Sequence, residues 1–222
     1  MDEMTSAWPL FALRLATPRL VLRPITDDHI PAFIAAAQSG IHDPARSPFS
    51  YPWTSVPADE LPANMALHVW RTRARTTAAQ WTLPFGVWNE GELVGMQDLV
   101  AADFGTLRTV STGSWLRQSA QGRGIGTEMR TAVVLYAFDH LGAEVAETEA
   151  ASWNTASLAV SRAVGYAPNG STRKSWGGNA QDVQHLRLEP QELNRPAWTL
   201  EVGGHDGVAS FLGLGATVRA DS

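Results

Sequence analysis

The sequence predicts a mixed α/β sheet in a single domain, and three observations carry the prediction. β-rich runs alternate with segments of helical period, a glycine-containing turn joins two of those runs as a hairpin, and strand-to-helix transitions follow one another through the second half of the chain. Residues 1–18, with Trp8 and Pro9, read as an irregular N-terminal extension. Leu20 to Ile25 reads as a first strand, and Thr26 or Asp27 caps a helix running to about Gln38. Residues 43–62 then hold five of the thirteen prolines, at 44, 48, 52, 57 and 62, interleaved with Phe49, Tyr51 and Trp53. Regular structure cannot persist through that spacing, so the stretch is either a stiff packing segment or the wall of a pocket.

Asp59 to about Ala78 is helical, with Leu61, Met65, His68, Val69 and Trp70 ahead of Arg71, Arg73 and Arg75. Leu83 to Trp88, the turn Asn89-Glu90-Gly91-Glu92 and the run from Leu93 form a hairpin. Arg108 to Arg117 is a further strand. The helix beyond it places apolar or aromatic residues at 125, 129, 132, 133 and 136, one stripe of 3.6 period, and ends at Gly142. Glu144 to Ala151 is a strand, Thr155 to Val164 a helix and Gln184 to Leu188 the last strand. The domain so delimited covers residues 19–192. Residues 193–222 form a C-terminal extension, glycine-rich yet carrying Trp198-Thr199-Leu200 and Phe211-Leu212, which reads as a docked segment or a subunit contact.

Composition narrows the function classes. Hydrophobic residues make up 44% and charged residues 18% of 222, enough for a buried core. No apolar run approaches the ~20 residues of a membrane span. Met1-Asp2-Glu3-Met4 lacks the basic start of a signal peptide, so a cytoplasmic protein without membrane attachment is expected. The absence of cysteine excludes disulfides, thiolate zinc sites and a cysteine nucleophile, and no metal site is expected. A net charge of −5 argues against nucleic acid as the main partner. Nine tryptophans are many for this length, most of them expected in the core or at an interface.

The strongest functional signal is Gln121-Gly122-Arg123-Gly124-Ile125-Gly126, between the strand ending at Ser114-Trp115-Leu116 and the helix. Glycine permits positive φ, so successive N–H groups can turn toward one point, and the helix start adds unpaired donors and the positive end of its dipole. The result is a cradle for phosphate or pyrophosphate. It is not the nucleotide P-loop, since Thr127 follows Gly126 without a lysine. It is a poor dinucleotide fingerprint too, reading G-x-G-x-G without a clear parallel βαβ unit around it. Read from the glutamine it is Q-x-x-G-x-G.

A second element lies downstream. Asn154 precedes a helix, with Ser157, Ser161, Gly165 and Tyr166 following at +3, +7, +11 and +12. Asn154, Ser157 and Ser161 share one helical face. Asn154 is also a natural N-cap, and capping alone would explain it.

Together, Gln121 to Gly126 with Thr127-Glu128, Asn154-x-x-Ser157 and Gly165-Tyr166 resemble the GNAT superfamily of acyl-CoA N-acyltransferases, in its ribosomal-protein N-terminal acetyltransferase-like branch. The resemblance covers roughly residues 18–192. His42-Asp43-Pro44, Pro48-Phe49-Ser50, Pro52-Trp53, Gly113-Ser114-Trp115-Leu116 and Gly126-Thr127-Glu128-Met129-Arg130 look further like a group of GCN-type succinyltransferases.

The resemblance implies a single α+β domain, with a mixed sheet of about seven strands, flanking helices and a splayed cleft for coenzyme A. The donor is acetyl-CoA or succinyl-CoA and the acceptor an amine of a small molecule or protein. Backbone from Arg123 to Thr127, with Gln121 and Gly122, would hold the pyrophosphate. Backbone of Trp115, Leu116 and Arg117 would pair with pantetheine, Asn154 would bond its arm, and Ser157 would approach the thioester sulfur.

The implied chemistry is direct attack of an amine on a thioester. The amine must lose a proton, the oxyanion needs a donor, and the leaving thiolate needs a hydrogen bond or proton, for which Ser157 is the catalytic candidate. Two departures stand out. Ser111 occupies a position where many relatives carry a glutamate base, and Ser161 one where many carry a tyrosine acid. A water chain could remove the proton instead, or an acidic side chain such as Asp98 or Glu149, although either could be a solvated strand residue. His42, Asp43 and Trp53 are expected to border the acceptor. A succinyl carboxylate would need Arg71, Arg73, Arg75, Arg173 or Lys174. A non-catalytic acyl-CoA sensor, an aminoacyl-tRNA-dependent transferase and a homo-oligomer stay open.

Overall fold

The computed structural model describes residues 3–176 and 179–214. In chain order the elements are α1 (Glu3–Ala7), β1 (Arg14–Ala16), β2 (Leu20–Pro24), α2 (Ile30–Gln38), α3 (Leu61–Arg75), β3 (Gln80–Asn89), β4 (Glu92–Ala102), α4 (Phe104–Leu107), β5 (Thr109–Leu116), α5 (Ile125–Asp139), β6 (Val145–Ala151), α6 (Thr155–Val164), β7 (Ala167–Trp176), β8 (Asn179–Leu188), β9 (Glu201–Gly203) and α7 (His205–Phe211). The strands form one sheet in the order β7-β8-β6-β5-β4-β3-β2-β1-β9. Every pairing is antiparallel except β5 with β6.

Nine strands stand among the described residues where about seven were expected. β7 escapes pattern reading because it is exposed at every residue except Trp176, so no alternation marks it. β1 and β9 are three residues each and pair with one another, Leu15 opposite Val202. The first residues, read as irregular, therefore contain a helix and a strand. The chain beyond 193 adds β9 and α7, whose Val208 is fully buried and whose Phe211 meets Trp8 edge-on at 4.9 Å.

The β3–β4 hairpin forms where the sequence placed it. Glu90 and Gly91 both take positive φ, 52° and 83°, which matches the turn to the twist of its strands. Two cores flank the sheet. α2 and α3 bury Ile30, Phe33, Met65 and Val69 against Trp88, Met96 and Trp115 on one face. α5, α6 and both chain ends cover the other. The stripe expected on α5 is buried, but so are twelve of its fifteen residues, because sheet, α6 and the terminal segments enclose it.

Parallel pairing of β5 with β6 lasts only from Thr109–Val145 to Ser111–Glu147. β5 runs on to Leu116 against β4, and β6 runs on to Ala151 against β8. The two strands therefore diverge, and the opening between them is the cleft.

Gly204 stands at φ 75°, where an added Cβ would lie 2.2 Å from the Ala12 carbonyl oxygen. Gly204→Ala is expected to undock the C-terminal segment at a cost of about 2 kcal/mol. A thermal melt unchanged from wild type would contradict this close approach.

Candidate active site

A cleft of about 1530 Å³ opens at the divergence of β5 and β6, and residues of both sequence signals line it. Gly122, Gly124, Gly126 and Thr127 stand on one side, with Asn154 and Ser157 on the other. Gly122 and Gly124 adopt φ of 70° and 77°, as a loop turning its amides inward requires. The first bond into α5 is Glu128 N–H to Gly124 O, so the amides of Ile125, Gly126 and Thr127 precede the intrahelical ladder. These donors and the helix dipole suit a diphosphate. An added Cβ at Gly126 would already touch Val160 at 3.4 Å, so glycine also sets how closely α5 approaches α6.

Two braces hold this loop. Gln121 Nε2 donates to Ile41 O at 2.7 Å and Leu116 O at 2.8 Å, so its amide group ties the loop to the sheet. Glu128, buried in the first turn of α5, accepts from Thr17 Oγ1 and from Arg19 Nε, the latter at 2.7 Å. Arg19 Nη1 then donates to Arg123 O at 3.1 Å. Thr17 and Arg19 each lie more than a hundred positions from Glu128 in sequence, and no local signal announces the contact.

Strand geometry separates the expected pantetheine contacts. Arg117 N–H donates to Val94 O, which turns the backbone of Arg117 and, two residues back, Trp115 toward β4. Thr112 O accepts from Thr148 Oγ1 and Leu116 O from Gln121, so Thr112, Ser114 and Leu116 face the cleft. Arg117 lies outside it, its side chain paired with Glu92. Trp115 contributes its ring. Ile125 is sealed in the core and Arg123 is exposed, leaving only their backbone at the loop.

Asn154 caps α6 by accepting from Ser157 N at 3.2 Å through Oδ1, which leaves its Nδ2 donors for the cleft. Ser157 is half-buried and lines it. Ser161 is buried, donating to Ser157 O at 3.0 Å and accepting from Arg130 Nη1 at 2.8 Å. Ser111 is exposed on β5.

The two acidic candidates part here. Glu149 is taken by Lys174 Nζ at 2.6 Å and lies 3.3 Å from His185. Asp98, opposite Gly113 in the β4–β5 register, lines the cleft, and its buried Oδ1 meets no donor among the described residues. Burial pushes its carboxyl up to about 7. This environment was invisible in the sequence.

On the far wall, His42 is fixed between Asp43 O and Thr54 Oγ1, both at 2.7 Å, and Asp43 Oδ1 accepts from Ala45 N at 2.9 Å. Phe49, Trp53 and Trp115 form a ring ladder with centroids 5.1 and 5.8 Å apart. The proline–aromatic stretch is thus both packing segment and cleft wall. Among the cationic candidates Arg73 is held by Asp27, Arg173 by Asp182 and Lys174 by Glu149, while Arg71 and Arg75 line the cleft. Among the described residues no helix is long and apolar enough to cross a membrane.

Solved structures share this architecture. Mycobacterium smegmatis RimJ, in complex with CoA-disulfide, matches with TM-score 0.71 at 20% identity, over 91% of this chain and 95% of its own. RimL, the ribosomal L7/L12 alpha-N-protein acetyltransferase in complex with coenzyme A, matches with TM-score 0.63 at 18% identity, over 78% and 95%. A GCN5-related N-acetyltransferase from Brucella melitensis matches with TM-score 0.66 at 20% identity, over 81% and 79%. At these identities the likeness establishes the fold, that of the acetyltransferases. The acetyltransferase (GNAT) domain family matches residues 19–167, and the chain belongs to that family.

Glu128→Ala would leave Arg19 without its carboxylate and release Thr17 from α5. It is expected to lower stability by about 1–2 kcal/mol and to speed hydrogen exchange at residues 122–127. Exchange rates equal to wild type would contradict the bracing role.

Proposed function

We propose that this chain transfers an acyl group, acetyl or succinyl, from acyl-CoA to an amine of a small molecule or protein by direct attack. One observation carries the reading: the first-turn amides of α5, the Asn154-capped start of α6 and the Asp98 carboxyl with its buried Oδ1 meet on one cleft. Coenzyme A supplies the activated thioester. Gly122 and the backbone of Gly124 to Thr127 would hold its pyrophosphate, the amide of Leu116 its pantetheine, and Asn154 Nδ2 the same arm.

Asp98 takes the proton of the attacking amine. A carboxyl poised near 7 is half ionised at neutral pH and matched to that task. As the C–N bond forms and the C–S bond breaks, the N–H of Ser114 faces the carbonyl oxygen and Ser157 Oγ donates toward the sulfur. The Phe49–Trp53–Trp115 wall, with His42 and Asp43 at its edge, borders the acceptor. Arg71 or Arg75 would pair with a succinyl carboxylate. A sensor that binds acyl-CoA without turnover is distinguished by following free thiol with a panel of acyl-CoAs and amines: absence of release despite tight binding sinks the enzymatic reading.

Gly124→Val forces a β-branched residue to positive φ at the cradle and is expected to weaken CoA binding by about a hundredfold or more. Calorimetry on the folded variant giving wild-type affinity would remove the loop from the site.

Asp98→Asn is expected to lower kcat by about a hundredfold or more and to flatten the rise in rate through pH 7. Stability should move oppositely. Folded Asp98 holds its proton to about 7 against an ordinary 3.8, so the unfolded state binds fewer protons between those values. Stability therefore falls as pH rises across that window, and at pH ~8 the asparagine variant should be more stable by about 1–3 kcal/mol. A variant that is both less stable and equally active would overturn the assignment.

A further inference from the structure

Among the described residues two charged side chains are buried. Glu128 has Arg19. Arg130, on the next turn of α5 and only 4% exposed, has no carboxylate of the described residues within ion-pair distance. Its Nη1 donates to Ser161 Oγ at 2.8 Å and its Nη2 to Ser114 Oγ at 3.1 Å, both neutral acceptors, and its sealed Nε has none. Two hydroxyl bonds do not offset the several kcal/mol that burial of an uncompensated guanidinium costs. Tyr166, whose hydroxyl lies 3.4 Å from Thr112 Oγ1, interacts electrostatically with Arg130, and burial keeps that phenol neutral.

The position of this cation matters more than its cost. Ser114 adjoins Gly113, which faces Asp98 across β4 and β5, and Ser161 bonds the carbonyl of Ser157. Arg130 lines the cleft between these two points, the proposed base on one side and the proposed sulfur partner on the other. In acyl transfer the amine nitrogen bonds the carbonyl carbon, its proton passes to Asp98, and the electron pair of the broken C–S bond stays on sulfur. A serine hydroxyl is a poor acid for that charge. A guanidinium held rigid by two serines meets it with a full positive charge and spare N–H donors in a water-poor setting.

We propose that Arg130 stabilises the thiolate leaving with coenzyme A, with Ser114 and Ser161 as the residues that position it. The proposal rests on the acyl-CoA reading above. Exposed Arg71 and Arg75 already offer partners for a donor carboxylate, whereas sulfur carries charge whichever acyl group is transferred.

The test is the ionisation of the thiol in the binary complex with CoA, followed by ultraviolet thiolate absorbance. In wild type the bound thiol is expected to ionise about tenfold more readily than in Arg130→Gln, with Arg130→Lys between them. CoA affinity should be unchanged, and kcat with acetyl-CoA and with succinyl-CoA should fall by the same factor, about a hundredfold. Ser161→Ala, which loosens the guanidinium without removing it, gives a smaller shift in the same direction and serves if Arg130→Gln does not fold. Equal thiol ionisation in folded variants that bind CoA overturns the proposal and leaves the acyl-CoA reading standing. Loss confined to succinyl-CoA also overturns it, assigning Arg130 to the donor carboxylate. Failure of wild type to bind CoA overturns both.

Discussion

The loss of pairing between β5 and β6 after three residue pairs is the constraint on which the site depends. Backbone groups released by such a divergence need other partners, and part of the demand is met inside the chain: Thr148 Oγ1 reaches Thr112 O, and Gln121 takes Leu116 O. The amides of Ser114 and Leu116 are left along the opening. The same divergence brings the start of α5 and the start of α6 to opposite walls of one slot. Without it, the glycine loop and Asn154 would be two ordinary helix caps on a continuous sheet.

Charge is distributed around that slot with little redundancy. The positive end of α5 is paired with an acidic residue in its own first turn, yet Arg19 neutralises Glu128 from outside and leaves the amides free. Asp98 and Arg130 are held with few polar contacts, one on each side of the strand that bears Gly113 and Ser114. Each is costly in the interior, and burial disfavours ionisation of both. Such placement is common at sites where charge must appear and vanish during a reaction.

Much of this fold is legible in the sequence because its central elements obey simple periods. The hairpin around Gly91, the strand ending at Leu116 and the helix from Thr155 to Val164 stand where pattern and cap residues put them. β7 is polar on both faces, and β1 and β9 are too short to show a pattern. The glycine loop and Asn154 were legible because backbone geometry demands particular residues there. Asp98 was readable only as an acid on a strand, since what distinguishes it from Glu149 is the burial and pairing of neighbours distant in sequence. Arg130 offered one faint signal, a cation two positions ahead of the apolar run Ala132-Val133-Val134.

The pairing of β9 with β1 has a bearing on synthesis. One edge of the sheet joins residues near the first and last parts of the described chain, Arg14 opposite Gly203. A nascent polypeptide therefore cannot complete that edge until residues through Gly203 have left the ribosome, and until then the outer side of β1 is an open template for a foreign strand. Closure at this seam is a late, long-range event in folding.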